Sequence, residues 1–321
     1  MNSFQEYLDT VNRAIAKIPY PEQPLQLYEP IAYHMALGGK RVRPVLALMA
    51  CDAFGGDLLV ALDAAVGIEM FHNFTLLHDD VMDNADVRRG KPTVHRRWND
   101  NTAILSGDTM LTIATQYIAS TANWQVMDLF NKTAIEIYEG QQWDMDFEER
   151  NDVTVDEYMN MIRLKTSVLL GCALKTGALI AGADVAECGK IYEAGVNMGL
   201  AFQLMDDMLD VWGNPETFGK EIGGDIMNNK KTFLLINAIQ LAKGDDADEL
   251  RHWLNDPYVT RDDKVPAVTA LYERLGVRKL AADAIALYNG LAIDAFNQLK
   301  ISDEDREAFI SLANKLAGRI Y

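Results

Sequence analysis

Apolar residues recur at three- and four-residue spacing along almost the whole chain, and no stretch alternates β-branched with polar residues. That pattern predicts an all-α protein of about a dozen helices. Ser3 with Glu6 reads as a capping box opening the first helix, which Pro19, Pro21 and Pro24 end. A second helix is expected over 25–37, stopped by Gly38-Gly39, and a third from about Pro44 to Phe54. One long helix follows over 58–83. Residues 84–100 are polar and basic and read as a loop; helical patterns resume over 101–148, 155–182 and 185–212. Residues 213–224 form a second Gly-containing loop, and the tail from Ile226 is expected to hold three to five shorter helices.

The 321 residues are 49% hydrophobic and 24% charged, the balance of a globular protein rather than a disordered one. No linker or repeat divides them, so residues 1–321 are expected to form a single domain. Net charge is −17, which argues against a nucleic-acid partner. Cys51, Cys172 and Cys188 have no disulfide or zinc spacing, as in a reducing compartment. The amphipathic start carries Glu6 and Asp9 and lacks the pattern of a signal peptide. The most apolar stretch, residues 167–183, is interrupted by Lys175 and is short for a membrane span. A cytoplasmic protein that is not integral to a membrane is therefore expected.

Two acidic clusters share one spacing: Asp79-Asp80-Val81-Met82-Asp83 and Asp206-Asp207-Met208-Leu209-Asp210. On a helix, residues four apart share a face, so Asp79 faces Asp83, and Asp206 faces Asp210. Either cluster alone reads as a solvated helix end. Two of them, each in an apolar helix and each followed by a basic loop, point to a metal site, because paired carboxylates among apolar residues need an offsetting cation. Oxygen donors without nearby Cys select a hard ion such as Mg²⁺ or Mn²⁺. Basic groups lie close by in sequence: Lys40, Arg41 and Arg43; Arg88, Arg89 and Lys91; Lys220, Lys230 and Lys231; and Lys165 within an apolar helix. Together they suit a ligand with more than one phosphate, bridged through the metal to the aspartates. There is no Walker-type loop, so nucleotide phosphoryl transfer has no support. Phe71, Phe74, Leu76, Leu77, Phe202, Leu204 and Met205 read as core, and could line a pocket for an apolar body behind an anionic head.

The motifs GGKRVRP (38–44), LLHDDVMDNADVRRGKPTVH (76–95), Lys165-Thr166, FQLMDDMLDVWGNPETFGKEIGGD (202–225) and NNKKT (228–232) occur in the order found in the trans-isoprenyl diphosphate synthases. The chain resembles that family, in its farnesyl/geranylgeranyl diphosphate synthase group of polyprenyl synthetases. The resemblance implies an isoprenoid-synthase-type helical bundle around a central cavity, working as a homodimer. It implies condensation of isopentenyl diphosphate with an allylic diphosphate (dimethylallyl, geranyl or farnesyl) at three Mg²⁺ ions, Mn²⁺ being the alternative.

By that resemblance Asp79, Asp83 and Asp206 ligate metal, with Asp80, Asp207 and Asp210 as partners behind them. Arg88, Lys165, Thr166, Gln203, Lys220 and Lys230 bind the allylic diphosphate. Lys40, Arg43, His72 and Arg89 bind the isopentenyl diphosphate. Phe74, five residues before the first aspartate, floors the product cavity, with Thr75 beside it and Phe71 one turn deeper. That floor and the uninserted DDVMD imply a farnesyl or geranylgeranyl product. A terpene cyclase would lack the GGKRVRP site. A catalytically dead homologue would not need both aspartate motifs. Glu69-x-x-His72 and Glu249-x-x-His252 also match the pairs of a helical di-iron protein, but that reading leaves the aspartates and basic loops unexplained.

Overall fold

The computed structural model describes residues 2–214 and 222–318. Lys220, and most of the second expected loop, lie outside them. Helices dominate, as the periodicity requires. Phe4–Ala16 opens with the capping box: the Ser3 hydroxyl accepts from the Glu6 N–H and the Glu6 carboxylate accepts from the Ser3 N–H. Leu25–Ala36, Val42–Ala53 and Leu58–Met82 follow within a few residues of the expected bounds.

The chain groups into two compact units. The first comprises Met1–Lys132, Cys172–Tyr192 and Lys300–Asp305. In it the Leu58–Met82 helix packs against Asp100–Ser120 and Val42–Ala53, with Leu25–Ala36 and Phe4–Ala16 beside them. Leu58–Met82 is long and apolar enough to cross a membrane by length and composition, yet 61% of its most apolar window is buried within the protein. It is a core helix, and the polar Glu69, Asn73 and Asp80 along it are buried with it.

The second unit comprises Thr133–Gly171, Glu193–Leu299 and Arg306–Tyr321. Its core gathers Tyr158, Met161, Ile162, Leu204, Met208, Leu234, Leu271 and Val277. The apolar Phe233–Leu241 helix packs on Val277–Asn297, Val155–Ile162 and Arg261–Arg274.

Four expectations need correction. Residues 84–100 are not only loop. Arg89 (φ 53°) and Gly90 (φ 74°) both adopt the left-handed region and turn a short hairpin, Val87–Arg88 against Lys91–Pro92. The short helix Val94–Arg97 follows. The 101–148 segment breaks at Ala122 (φ 49°) into Asp100–Ser120 and Trp124–Glu149. The 155–182 segment is Val155–Ile162, a π-helical turn at Arg163–Ser167, and Val168–Ile180. Among the described residues the tail holds six helices, Gly224–Met227, Phe233–Leu241, Asp245–Asn255, Arg261–Arg274, Val277–Asn297 and Asp303–Ala317, not three to five. Left-handed Gly244 and Gly276 and the Thr260 cap set the divisions between Phe233–Leu241 and Val277–Asn297.

Candidate active site

In the first unit, Asp79 and Asp80 occupy the last turn of Leu58–Met82, and Asp83 is its C-cap. The three carboxylates differ in surroundings. Asp79 is half-buried and Asp83 exposed, one helical turn apart, whereas Asp80 is buried. The Arg88 Nε donates to both Asp80 carboxylate oxygens, at 2.8 and 2.9 Å, and Arg88 Nη2 lies 2.7 Å from Oδ1. Burial raises the Asp80 carboxyl, and Arg88 opposes that rise. Asp80 therefore aims Arg88, which the hairpin presents from the other side.

The GGKRVRP segment lies against this hairpin. The Arg89 guanidinium stacks over Gly39, where a Cβ would come within 2.9 Å of Nη2, and Arg89 Nη1 donates to the Gly38 carbonyl. Arg41 is buried and donates to Glu69 Oε1 at 2.6 Å and to the Met35 carbonyl at 2.8 Å. Arg43 Nη1 lies 3.3 Å from His72 Nε2. Burial first, and then Arg43, Arg89, Arg88 and Arg41, hold the His72 imidazole well below its ordinary value, so it is neutral at physiological pH. Burial lowers Arg43 to about 10, with Glu69 opposing. Lys40 is exposed at the edge of the group. Arg43, His72 and Arg89 thus sit together in a cationic setting.

The aromatic residues named for product length form a contact series. Phe71 is 5.2 Å from Phe130 and 5.6 Å from Phe74, and Phe74 is 4.8 Å from the His78 ring (centroid distances). His78 in turn lies 3.1 Å from the Ile104 carbonyl and covers Gly107, where a Cβ would come within 2.2 Å of it. Thr75 donates to the His72 carbonyl at 2.8 Å.

In the second unit, Asp206, Asp207 and Asp210 lie on the Val185–Trp212 helix. Asp206 is half-buried. Asp207 is buried, accepting from the Tyr158 hydroxyl and from Gln203 Nε2 at 3.2 Å. Gln203 Oε1 accepts from the Thr166 hydroxyl at 3.2 Å, so one chain of bonds joins Thr166, Gln203, Asp207 and Tyr158. Burial and then Asp225 push Asp207 up to about 7, against Tyr158, Lys230 and Gln203. Asp210 Oδ2 accepts from the Asp225 N–H at 3.0 Å and so holds the start of Gly224–Met227.

Lys165 sits in the π-helical turn, half-buried, with Nζ 2.5 Å from Asp144 Oδ2. Gly140 makes this possible, because a Cβ there would come within 2.4 Å of the Lys165 backbone nitrogen. Burial would raise the Asp144 carboxyl, but Lys230 and Lys165 outweigh it and hold it below its ordinary value. Asp144 is the shared counter-ion of two lysines singled out by sequence.

The polyprenyl synthetase family model matches residues 24–272. The chain belongs to this family. It is 43% identical over 235 residues to a geranylgeranyl diphosphate synthase of Methanosarcina mazei, covering 72% of each chain. A crystal structure of a geranylgeranyl pyrophosphate synthase matches it with TM-score 0.95 and 45% identity over 100% of both chains. A polyprenyl synthase of Caulobacter crescentus, complexed with calcium and isoprenyl diphosphate, matches with TM-score 0.90 and 29% identity over 99% of this chain and 96% of that one. The all-α fold is that of the isoprenoid synthases.

For a polyprenyl synthetase the donor chemistry is apt. Asp79, Asp83 and Asp206 offer hard oxygens that are not buried, while Asp80 and Asp207 are taken up by Arg88 and by Tyr158 and Gln203. Among the described residues no three His, Cys, Asp or Glu side chains close into a metal cage. Carboxylates of this kind, in either unit, suit a divalent cation whose shell is completed by water and phosphate oxygens. The di-iron pairs have other partners: Glu69 binds Arg41, His72 meets Arg43, and Glu249 binds Arg274. Sequence reasoning missed Tyr158, Asp144, Phe130 and Lys264. The buried Lys264 donates to Asn229 Oδ1 at 2.7 Å and to the Met227 carbonyl at 3.3 Å, fixing the turn that carries Lys230. Its signal was weak, a lone lysine in a polar, acidic helix.

Proposed function

We propose that this enzyme is a short-chain trans-prenyltransferase that joins isopentenyl diphosphate head-to-tail to an allylic diphosphate and gives farnesyl or geranylgeranyl diphosphate. The observation that carries the reading is that basic side chains of the same unit lie beside each aspartate cluster, and that a cluster of arginines also surrounds His72. Two diphosphates need two such cradles. The relatives' names support the same reaction.

In this reading Arg88, Lys165, Thr166, Gln203, Lys220 and Lys230 hold the allylic diphosphate, and Lys40, Arg43, His72 and Arg89 hold the isopentenyl diphosphate. Mg²⁺ at Asp79, Asp83 and Asp206, three ions in all with Mn²⁺ as the alternative, would supply charge that stabilises the departing diphosphate. The allylic C–O bond breaks and its electron pair leaves with the diphosphate, which Arg88 and Lys165 would hold. The isopentenyl double bond attacks the allylic cation and forms the new C–C bond. The resulting cation loses a proton to an oxygen of the released diphosphate. The apolar side chains of Phe71 and Phe74 keep water from the cation and set the length of the product.

The two units act as one catalytic domain. The enzyme is cytoplasmic and works as a homodimer, a state favoured by exposed Ile104 and Leu105 on the Asp100–Ser120 helix. Light scattering at twice the chain mass would bear out the dimer, and a monomer mass would not.

The test incubates purified protein with isopentenyl diphosphate and each allylic starter, with Mg²⁺ and with chelator, and measures product length. The expected result is a fifteen- or twenty-carbon product (about three or four isoprene units) that requires the metal. No product with any starter would overturn the reading.

A further inference from the structure

Glu69 is a buried carboxylate among cations, and the reaction as described does not use it. It lies in the middle of Leu58–Met82, 2% exposed. Its Oε1 accepts from Arg41 Nη1 at 2.6 Å and from Asn73 Nδ2 at 3.0 Å, and Asn73 is held in turn by the Glu69 carbonyl at 2.8 Å. A buried ion pair of this kind adds little net stability, so its value lies in the geometry it fixes.

That geometry is the GGKRVRP segment. Arg41 has a left-handed backbone (φ 48°), which disfavours any residue with a Cβ, and it caps the Val42–Ala53 helix. Its two Nη atoms bond different partners, Glu69 and the Met35 carbonyl, so the guanidinium is fixed in plane as well as in place. Either side of Arg41 stand Lys40 and Arg43. Three clamps thus hold residues 38–43: Arg89 at Gly38, Glu69 at Arg41 and His72 at Arg43. Glu69 also supplies negative charge to a group in which Arg41, Arg43, Arg88 and Arg89 all act on His72.

We infer that Glu69 is a positioning residue for the isopentenyl diphosphate subsite, acting through Arg41 to hold Lys40 and Arg43 in place while the subsite is empty. The inference rests on the proposed function. Four cations gathered without ligand repel one another; the buried carboxylate and the clamped Arg41 keep them assembled, so that the diphosphate meets a preformed cradle.

The test is Glu69→Gln, which keeps the shape and one acceptor but removes the charge. Steady-state kinetics are measured with each substrate varied in turn, beside direct binding of isopentenyl diphosphate without metal or allylic substrate. The expected result is a KM and Kd for isopentenyl diphosphate raised about tenfold, with kcat and the allylic KM within about twofold. A purely structural role would depress all parameters together, and that outcome, or an unchanged isopentenyl KM, overturns the inference. Should Glu69→Gln fail to fold, Arg41→Lys is read by the same criteria, since a single ammonium cannot keep both of the guanidinium's bonds. Wild-type protein inactive with every substrate pair would instead refute the proposed function.

Discussion

Phe74 touches Phe71 on one side and His78 on the other, and only a small part of it reaches solvent. Replacing it with Ala opens space next to Phe71. Phe74→Ala is expected to lengthen the product by at least one isoprene unit and to cost about 3–5 kcal/mol of stability. Product chromatography showing an unchanged chain length would refute the role given to Phe74. His34 makes a separate prediction. Burial first, then Arg88, Arg89 and Arg41, lower its imidazole to about 3 from an ordinary 6.5. Below pH 6.5 the unfolded chain takes up a proton that the folded one refuses. The stabilisation from neutral His34 is complete above that pH and is lost, at about 1.4 kcal/mol per unit, as pH falls towards 3. Urea unfolding of wild type and His34→Gln at pH 7 and pH 5 should show a smaller pH dependence in the variant; equal dependence would contradict it. At this scale the sequence was informative where spacing alone carries meaning, as for Asp79 with Asp83. It was uninformative where a partner comes from far along the chain. Asp144 looked like one of many surface acids because Lys165 and Lys230 meet it only after folding. Arg41 matched a motif without a role because its partner, Glu69, lies 28 residues on.

Among elements, the π-helical turn Arg163–Ser167 holds both Lys165 and Thr166. It rests against Gly140 of the Trp124–Glu149 helix with no room for a methyl group. Gly140→Ala is expected to lower the Tm by several degrees, about 1–3 kcal/mol of overpacking, and to reduce turnover by displacing Lys165 from Asp144. Wild-type Tm and turnover would show that the approach does not matter. Helix periodicity made the long helices legible, since their buried faces repeat every three to four residues. It could not show the π-turn, whose extra residue shifts the register without leaving a mark in composition. Nor could it show the hairpin at Arg89-Gly90, where four strand residues are too few to alternate.

Across the whole molecule, a net charge of −17 coexists with a cluster of arginines around a neutral histidine. The formal charge describes the solvated surface, and local placement decides what the site attracts. Each unit carries one aspartate cluster whose buried middle residue is taken up by a partner, Arg88 for Asp80 and Tyr158 with Gln203 for Asp207. Asp79, Asp83 and Asp206 are the carboxylates proposed to hold metal. The central claim is that these carboxylates hold the divalent ions against which the allylic diphosphate departs. The most direct measurement is Mg²⁺-dependent condensation by Asp79→Ala and by Asp206→Ala, with circular dichroism taken alongside. The account predicts that turnover falls by about three orders of magnitude in each while helical content stays near wild type. Turnover retained in either variant would contradict it.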